Sequence, residues 1–290
     1  MPAARFHSWA LATTLALLGS AAAHAVPTAS VAFGLQGEYP PVSYSNPVAV
    51  AASRHVNNSS LAADFWGSAN LADGTVRVKM NTTPLAPYQS SPIAIAGGSI
   101  TDDLTVVGPG TAPVTITLTM DIDALLPMNV AMGPSSYESL IYHASLSGVG
   151  PVAREIRVYR SKGVDENGVV TQNDIICQGD CGLLNQPLSL AGVIDGKLVV
   201  QGEVLPNNHF TFWAAVDLQT FSYPIGLYAE IDASQTARMS YSLPDGYTLT
   251  SASGVFLTAV PEPSTALLVL AGGLWLVWRA RAAAPRTRCG

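Results

Sequence analysis

Two cysteines that lie close together form the most pointed chemical pattern in the chain. Cys177 and Cys181 are separated by Gln-Gly-Asp, a spacing that allows a tight loop to close in a disulfide. A redox centre would more often have two intervening residues, and zinc would need about four ligands, which no nearby His or Cys completes. We therefore predict a Cys177–Cys181 disulfide, which requires an oxidising compartment.

Carboxylates gather around one glycine turn at Asp165-Glu166-Asn167-Gly168. Oxygen ligands of this kind suit calcium, but Ile176 stands where a calcium-binding loop of the EF-hand type needs a bidentate Glu. The pattern favours a hairpin turn with solvated carboxylates, and the same interpretation covers Asp102-Asp103 and the pair Asp121 and Asp123. We predict no metal site and no cofactor.

The catalytic signatures that can be recognised by spacing are missing from this sequence. His55, His143 and His209 are far apart, and there is no His-Glu-x-x-His, Gly-x-Ser-x-Gly, phosphate-binding or dinucleotide-binding motif. The sequence therefore indicates a protein that is not an enzyme. A secreted hydrolase stays open as an alternative, because a catalytic triad is defined by geometry and its members can come from distant loops.

Aromatic residues cluster in two places and raise the alternative of ligand binding. They are Phe65, Trp66, Phe210, Phe212, Trp213, Phe221 and Tyr223. On one face of a sheet they could stack against sugars, which would make the protein a carbohydrate- or calcium-dependent adhesive module. We interpret them as core residues, since buried aromatics dominate protein cores. The exposure of Trp66 and Trp213 discriminates between the two interpretations.

The charge is distributed unevenly along the 290 residues, whose formal net charge is −6. Five of the 14 basic residues lie at the two ends, whereas all 20 acidic residues lie between residues 26 and 262, which leaves that span near −11. Such an acidic body argues against nucleic-acid binding.

The N-terminal end has the three parts of a secretory signal. A basic start contains Arg5, an apolar segment runs from Trp9 to Leu18, and Ala23-His24-Ala25 forms an A-x-A site. We predict a signal peptide over residues 1–25 that is cleaved between Ala25 and Val26.

The C-terminal end carries three features in a fixed order. Pro261-Glu262-Pro263 is followed by an apolar stretch over residues 264–278, and then by Arg279 and Arg281. The stretch has 15 residues, fewer than the roughly 17–25 of a typical spanning helix, and snorkelling of the two arginines can compensate. The prolines lack backbone N–H groups and hold the segment extended, so it stays accessible to an enzyme.

This combination resembles the PEP-CTERM sorting signal, over residues 259–290 and together with the signal peptide. The resemblance implies export in a Gram-negative bacterium and an exosortase-type enzyme that recognises Pro261, Glu262 and Pro263 and removes the anchor. It also implies the secretion translocon, signal peptidase and the inner membrane as partners, with extracellular polysaccharide as a further one. The expected location is the inner membrane before processing and the cell surface or the extracellular space afterwards.

Short alternating segments separated by turn signals fill the rest of the chain. Thr75–Met80, Val114–Met120, Glu155–Tyr159, Lys197–Gln201 and Phe210–Val216 are typical of strands. Further strands are expected over 225–231, 237–243, 247–249 and 254–258. A short helix is expected near 121–126. We predict an all-β, jelly-roll-like sandwich over residues 26–258, with no active site. Residues 227–257 resemble the closing strands of PEP-CTERM passenger domains.

Overall fold

The chain forms strands and no helix within the residues described. The computed structural model describes residues 26–35, 41–86, 93–125, 137–148, 154–164, 170–178, 193–221 and 228–257. Neighbouring strands pair antiparallel in both of the sheets that these residues form. The prediction of an all-β body is confirmed. The signal helix and the C-terminal membrane helix lie outside the described residues.

Sheet A contains eight strands. In chain order they are β1 (Thr28–Leu35), β2 (Val42–Asn46), β6 (Ala94–Val107), β8 (Tyr137–Ser147), β9 (Arg154–Val164), β10 (Val170–Gln178), β12 (His209–Phe221) and β14 (Thr248–Ser251). Their spatial order is β10-β9-β8-β12-β6-β1-β2, and β14 pairs with β6.

Sheet B contains six strands. They are β3 (Ala49–Asn57), β4 (Leu61–Asn70), β5 (Thr75–Pro84), β7 (Val114–Leu125), β11 (Val193–Val204) and β13 (Ala229–Ser242). Their spatial order is β11-β7-β13-β5-β4-β3.

The core lies between the two sheets because side chains alternate along each strand. Phe33 of β1 stacks on Phe65 of β4, with ring centroids 5.7 Å apart, so these two rings join sheet A to sheet B. Phe210 and Phe212 of β12 are also buried. The interpretation of Phe65, Phe210 and Phe212 as core residues is therefore confirmed.

Several local predictions differ from the structure. The segments expected as separate strands at 225–231 and 237–243 belong, as far as described, to the single strand β13, whose register shifts at a β-bulge between Ala233 and Ala237. Residues 121–125 continue β7 and are not helical, and residues 254–257 form turns in place of a strand. Asp195-Gly196 lies within β11. Pairing in a sheet overrode the local signals at residues 121–125 and at Asp195-Gly196.

Asp102 and Asp103 overturn the expectation of a solvated turn. Both lie within β6 and are 0% and 5% exposed. Ser253 donates to Asp102 from its backbone nitrogen and from its hydroxyl, at 3.2 and 2.5 Å. Thr211 donates its hydroxyl to Asp103 at 2.7 Å. Polar partners that come from distant parts of the chain make the burial of both carboxyl groups tolerable.

The last described segment folds back onto the body. Residues 251–257 leave β14 in a turn, and Phe256 packs on Phe212 with ring centroids 5.0 Å apart. The backbone nitrogen of Leu257 donates to the carbonyl of Leu71 at 3.2 Å. We call residues 251–257 the closing turn. It closes the end of the sandwich over the buried carboxyl group of Asp102.

Candidate functional site

The outer face of sheet B brings a lysine and two carboxylates together. Lys79 on β5 lies directly opposite Asp232 on β13. Its ammonium group bonds to Asp232 at 3.0 Å and to Glu230, two residues earlier on the same strand. Residues two apart on a strand share one face, so both carboxylates project from the sheet beside Lys79.

The β-bulge of β13 supports one of these carboxylates. Ser234 enters the bulge and donates to Asp232 from its backbone nitrogen at 2.8 Å and from its hydroxyl at 2.5 Å. Partial burial alone would raise the pKa of Asp232, but the hydrogen bonds from Ser234 and Lys79 outweigh it and lower the pKa. Asp232 therefore stays ionised at neutral pH.

Lys79 is held in its charged form by the same contacts. Its hydrogen bonds with Glu230 and Asp232 raise the pKa of the ammonium group well above its ordinary value. One ammonium facing two carboxylates leaves these three side chains with a net negative charge, because a single lysine neutralises only one carboxylate.

Tyr228 extends the cluster from the residue before β13. Its side chain is 50% exposed. Partial burial and the negative charge of Glu230 raise the pKa of its hydroxyl, to which Glu230 is also hydrogen-bonded. The phenol ring therefore lies open to solvent at the border of the charged group.

Trp66 of β4 completes the arrangement on the other side of β5. It pairs with Lys79 across the strands and with Ser53 on β3, and its side chain is 37% exposed. The Lys79 side chain points away from it, since both of its carboxylate partners lie on β13. We call Trp66, Lys79, Tyr228, Glu230 and Asp232 the platform.

More hydrogen-bonding groups surround the platform. His55 and Asp64 are opposite each other on β3 and β4, with 2.6 Å between the imidazole and the carboxylate. Arg77 and Asn81 flank Lys79 on the same face of β5. Among the described residues, Arg77 Nε and Asn81 Oδ1 are buried and form no hydrogen bond. Buried polar atoms without a hydrogen bond are uncommon in folded proteins.

The chemistry of the platform favours binding over hydrolysis. A glycosidase needs one carboxyl group whose raised pKa lets it donate a proton to the leaving group. Asp232 has a lowered pKa and is paired with Lys79. Within the described residues, burial raises the pKa of Asp102, which is 0% exposed and faces the interior. A substrate on the outer face cannot reach it.

Sheet A carries the second aromatic residue that the sequence singled out. Trp213 of β12 is half-buried, and its ring meets the ring of His143 edge-on, with centroids 4.2 Å apart. The third histidine of the body, His209, bonds to Thr105 at 2.8 Å. His55, His143 and His209 thus lie on separate parts of the sandwich, and the described residues contain no group of three or more metal-ligating side chains.

Most of the predicted site residues lie outside the described part of the chain. These are Ala23, Ala25, Cys181, Pro261, Glu262, Pro263, Arg279 and Arg281. Val26 is described and is 74% exposed. Cys177 lies in β10. Its predicted partner Cys181 is outside the described residues, so the disulfide stays a prediction. Helices long and apolar enough to cross a membrane are not found within the described ranges.

Sequence reasoning did not identify Lys79, Tyr228, Glu230 or Asp232 as a site. The alternation in Thr75–Met80 places Lys79 on the polar face of a strand, and Glu230 and Asp232 alternate in the same way. The register between β5 and β13, which no local pattern specifies, brings them together.

No protein-family model, no curated protein and no solved structure matches the chain.

Proposed function

We propose that this chain is an exported, non-catalytic surface protein of a Gram-negative bacterium, sorted and processed through its PEP-CTERM-like C-terminal signal. One observation carries the proposal. The first described strand begins at Thr28, and the last described residue, Leu257, bonds to Leu71, so neither predicted processing site lies within the part of the sandwich that the structure describes. Cleavage after Ala25, and cleavage near Pro261, Glu262 and Pro263, would each leave the sandwich intact.

The two ends of the body support processing on physical grounds. Val26 is exposed, which leaves the predicted junction with Ala25 open to signal peptidase. At the other end, Phe256 and Leu257 bond to or pack on the core. The Pro-Glu-Pro motif begins four residues after Leu257, and prolines on both sides of a residue disfavour helix and sheet pairing, which supports recognition of the motif by an enzyme.

The proposed route has four partners. The secretion translocon exports the chain, and signal peptidase removes residues 1–25. The helix over 264–278 holds the protein in the inner membrane, with Arg279 and Arg281 on the cytoplasmic side. An exosortase-type enzyme then removes this anchor, and the body reaches the cell surface or the extracellular polysaccharide.

The strand order supports the jelly-roll type of sandwich. A jelly roll has two four-stranded sheets in which successive strands often cross from one sheet to the other. The chain crosses in this way at β5-β6-β7 and again at β11-β12-β13-β14. Across the core, β1 faces β3 and β4, and β6 faces β4 and β5. Further along the sandwich, β12 faces β5 and β13, and β8 and β9 face β11.

The platform supports a second candidate function, the carbohydrate-binding form of the adhesive module. Its exposed Trp66 is the feature that distinguishes this function from a purely structural body. The calcium-dependent form has less support, because the Lys79 ammonium group already occupies the space between Glu230 and Asp232. The secreted hydrolase has less support because Asp232, whose pKa is lowered, is not suited to donate a proton to a leaving group.

Intact-mass analysis of the full-length gene product tests the proposal. The chain is produced in a Gram-negative host with an exosortase and in the same host without it. We expect a product that starts at Val26 in both hosts, and that ends near Pro261 only when the exosortase is present. A product that keeps residues 1–290 in both hosts would overturn the proposal. Alkylation with and without reductant, on the same samples, tests the Cys177–Cys181 disulfide.

A further inference from the structure

We propose that the platform binds a neutral polysaccharide chain, with one sugar ring stacked on the Trp66 indole. This inference rests on the proposed export, because a polysaccharide layer meets the protein only outside the cell. It adds a ligand class and a location on the fold to the proposed function. Four features of the platform carry it.

The first feature is the open face of Trp66. The cross-strand neighbours of the indole are Ser53, which is small, and Lys79, whose side chain is drawn toward β13 by Glu230 and Asp232. An aromatic ring has a negative face, against which the weakly positive C–H groups of a sugar ring pack favourably.

The second feature is the ring of polar groups around the indole. Asp64 lies on the same strand, and Asn81 lies on the neighbouring strand beside Lys79. Asp64 and Glu230 offer carboxylate oxygens, and hydrogen bonds to charged groups are about twice as strong as neutral ones. Sugar hydroxyl groups both donate and accept, so they can use these groups together.

The third feature is the distance between the two exposed aromatic side chains. Trp66 is level with Asp232, two strands away, and Tyr228 comes four residues before Asp232. The two aromatic residues are therefore about 10 Å apart across the sheet and about 13 Å apart along it. Lys79 and Glu230 lie between them. This separation fits an extended chain of several sugar units better than a single sugar.

The fourth feature is the charge. Lys79 and the flanking Arg77 face the three carboxylates of Asp64, Glu230 and Asp232, which leaves this surface negative. The whole body between the predicted cleavage sites is near −11. Like charges repel, so an acidic polysaccharide made of uronic acids would be disfavoured. A neutral polysaccharide is not repelled by this negative charge.

A protein partner fits the surface less well. A stable protein interface buries about 800 Å² on each partner around an apolar centre. Within the described strands of this outer face, Trp66 is the single exposed large apolar side chain, and Tyr228 joins it from outside β13. The paired charges between them would have to be desolvated by a protein surface, whereas sugar hydroxyl groups can replace their water.

Affinity gel electrophoresis of the purified full chain tests the inference. Native gels contain dextran, galactomannan or xyloglucan as neutral polymers, or alginate as the uronic acid polymer. We expect at least one neutral polymer to retard the protein, and Trp66→Ala to weaken that binding by about tenfold, as the loss of one aromatic contact predicts. Trp66→Phe should keep part of the affinity, because it keeps a stacking surface.

Tyr241→Ala is the matched control. Tyr241 is 38% exposed, close to the 37% of Trp66, and its partner on β7 is seven residues from the partner of Asp232, which places it about 23 Å along the sheet. We expect its binding to equal that of the wild type. Retention by none of the three neutral polymers, equal binding by Trp66→Ala, or stronger retention by alginate would each overturn the inference. None of these results bears on signal cleavage or anchor removal, which the mass analysis tests separately.

Discussion

Ser253 holds the buried carboxylate of Asp102 through two hydrogen bonds, one from its backbone nitrogen at 3.2 Å and one from its hydroxyl at 2.5 Å. The two residues belong to parts of the chain that are 151 positions apart. The same hydroxyl accepts from the backbone nitrogens of Val255 and Phe256. One carboxyl group inside sheet A therefore organises the closing turn.

The Asp102 contact gives the stability of the protein a defined pH dependence. Burial raises the pKa of Asp102 above its ordinary value of 3.8, although hydrogen bonds from Ser253 oppose the shift. A carboxyl group whose pKa is raised by folding binds its proton more tightly in the folded state. Its contribution to the free energy of unfolding is therefore largest at acid pH, and falls as the pH rises from 3.8 through the raised pKa.

Asp102→Asn should remove this dependence while keeping an acceptor for the Ser253 nitrogen. We expect the free energy of unfolding of Asp102→Asn relative to the wild type to increase as the pH rises from 3.8 toward 7. Asp102→Ala should lose about 1–3 kcal/mol, because the Ser253 donors are left buried without an acceptor. Urea unfolding across this range measures both variants. A difference between Asp102→Asn and the wild type that does not change with pH would contradict the prediction.

Phe256→Ala should loosen the closing turn from the body. The side chain is 6% exposed and packs on Phe212, so its truncation should cost about 3 kcal/mol. Leu205→Ala is the control, because Leu205 is 44% exposed and its loss should change stability by less than about 0.5 kcal/mol. Urea unfolding midpoints measure both. Equal midpoints for the two variants would show that Phe256 is not part of the core.

Gly74 and Gly254 form a matched pair of glycines in the left-handed region, with φ of 64° and 70°. A Cβ atom on Gly74 would lie 2.5 Å from Cδ2 of Leu257, whereas one on Gly254 would have no neighbour within 4 Å. We expect Gly254→Ala to cost about 1 kcal/mol from backbone strain alone, and Gly74→Ala to cost more. Thermal unfolding measures the difference, and equal melting temperatures would argue against the close contact with Leu257.

Lys79→Met should destabilise the fold, because it removes the ammonium group while keeping most of the apolar stem. We expect the free energy of unfolding to fall by about 1 kcal/mol at neutral pH, since these groups are partly exposed. The lowered pKa of Asp232 adds stability that is present above 3.8 and is lost as the pH falls through the lowered pKa. That acid loss should be smaller in Lys79→Met than in the wild type.

Lys197→Met provides the comparison for this prediction. Lys197 bonds to Asp121 at 3.1 Å, with side chains 69% and 46% exposed. An ion pair so open to solvent should contribute less than about 0.5 kcal/mol. Chemical unfolding at pH 7 and at pH 3 measures both lysine variants. An equal effect of the two substitutions would contradict the special role of Lys79.

Alternation in the sequence predicts the regular strands but misses those with small or polar residues. Val114–Met120 alternates strictly, and it lies in β7. Strand β6 contains Gly97-Gly98 and Asp102-Asp103, which are typical of turns in an isolated segment. The glycines are required here for other reasons. A Cβ atom on Gly98 would lie 2.9 Å from Val76 of the facing sheet.

Residues of the platform could be assigned to a polar face from the sequence, but not to each other. Trp66 and Lys79 are 13 positions apart, and Asp232 is 153 positions from Lys79. Their meeting depends on which strands are neighbours and on the register between them, both of which are properties of the whole sheet. The interpretation of the aromatic residues as core was right for Phe65 but wrong for its neighbour Trp66, because adjacent strand residues face opposite sides.

The line formed by β1 and β14 has a mechanical consequence. Thr28 is opposite Thr101 and Ser251 is opposite Leu104, so the first and last strands meet the same side of β6 within about 10 Å of each other. The chain then crosses toward sheet B, because the closing turn ends at Leu257, whose backbone nitrogen donates to the carbonyl of Leu71 between β4 and β5. A C-terminal anchor would therefore pull on the end of the sandwich at which β4 and β5 are joined.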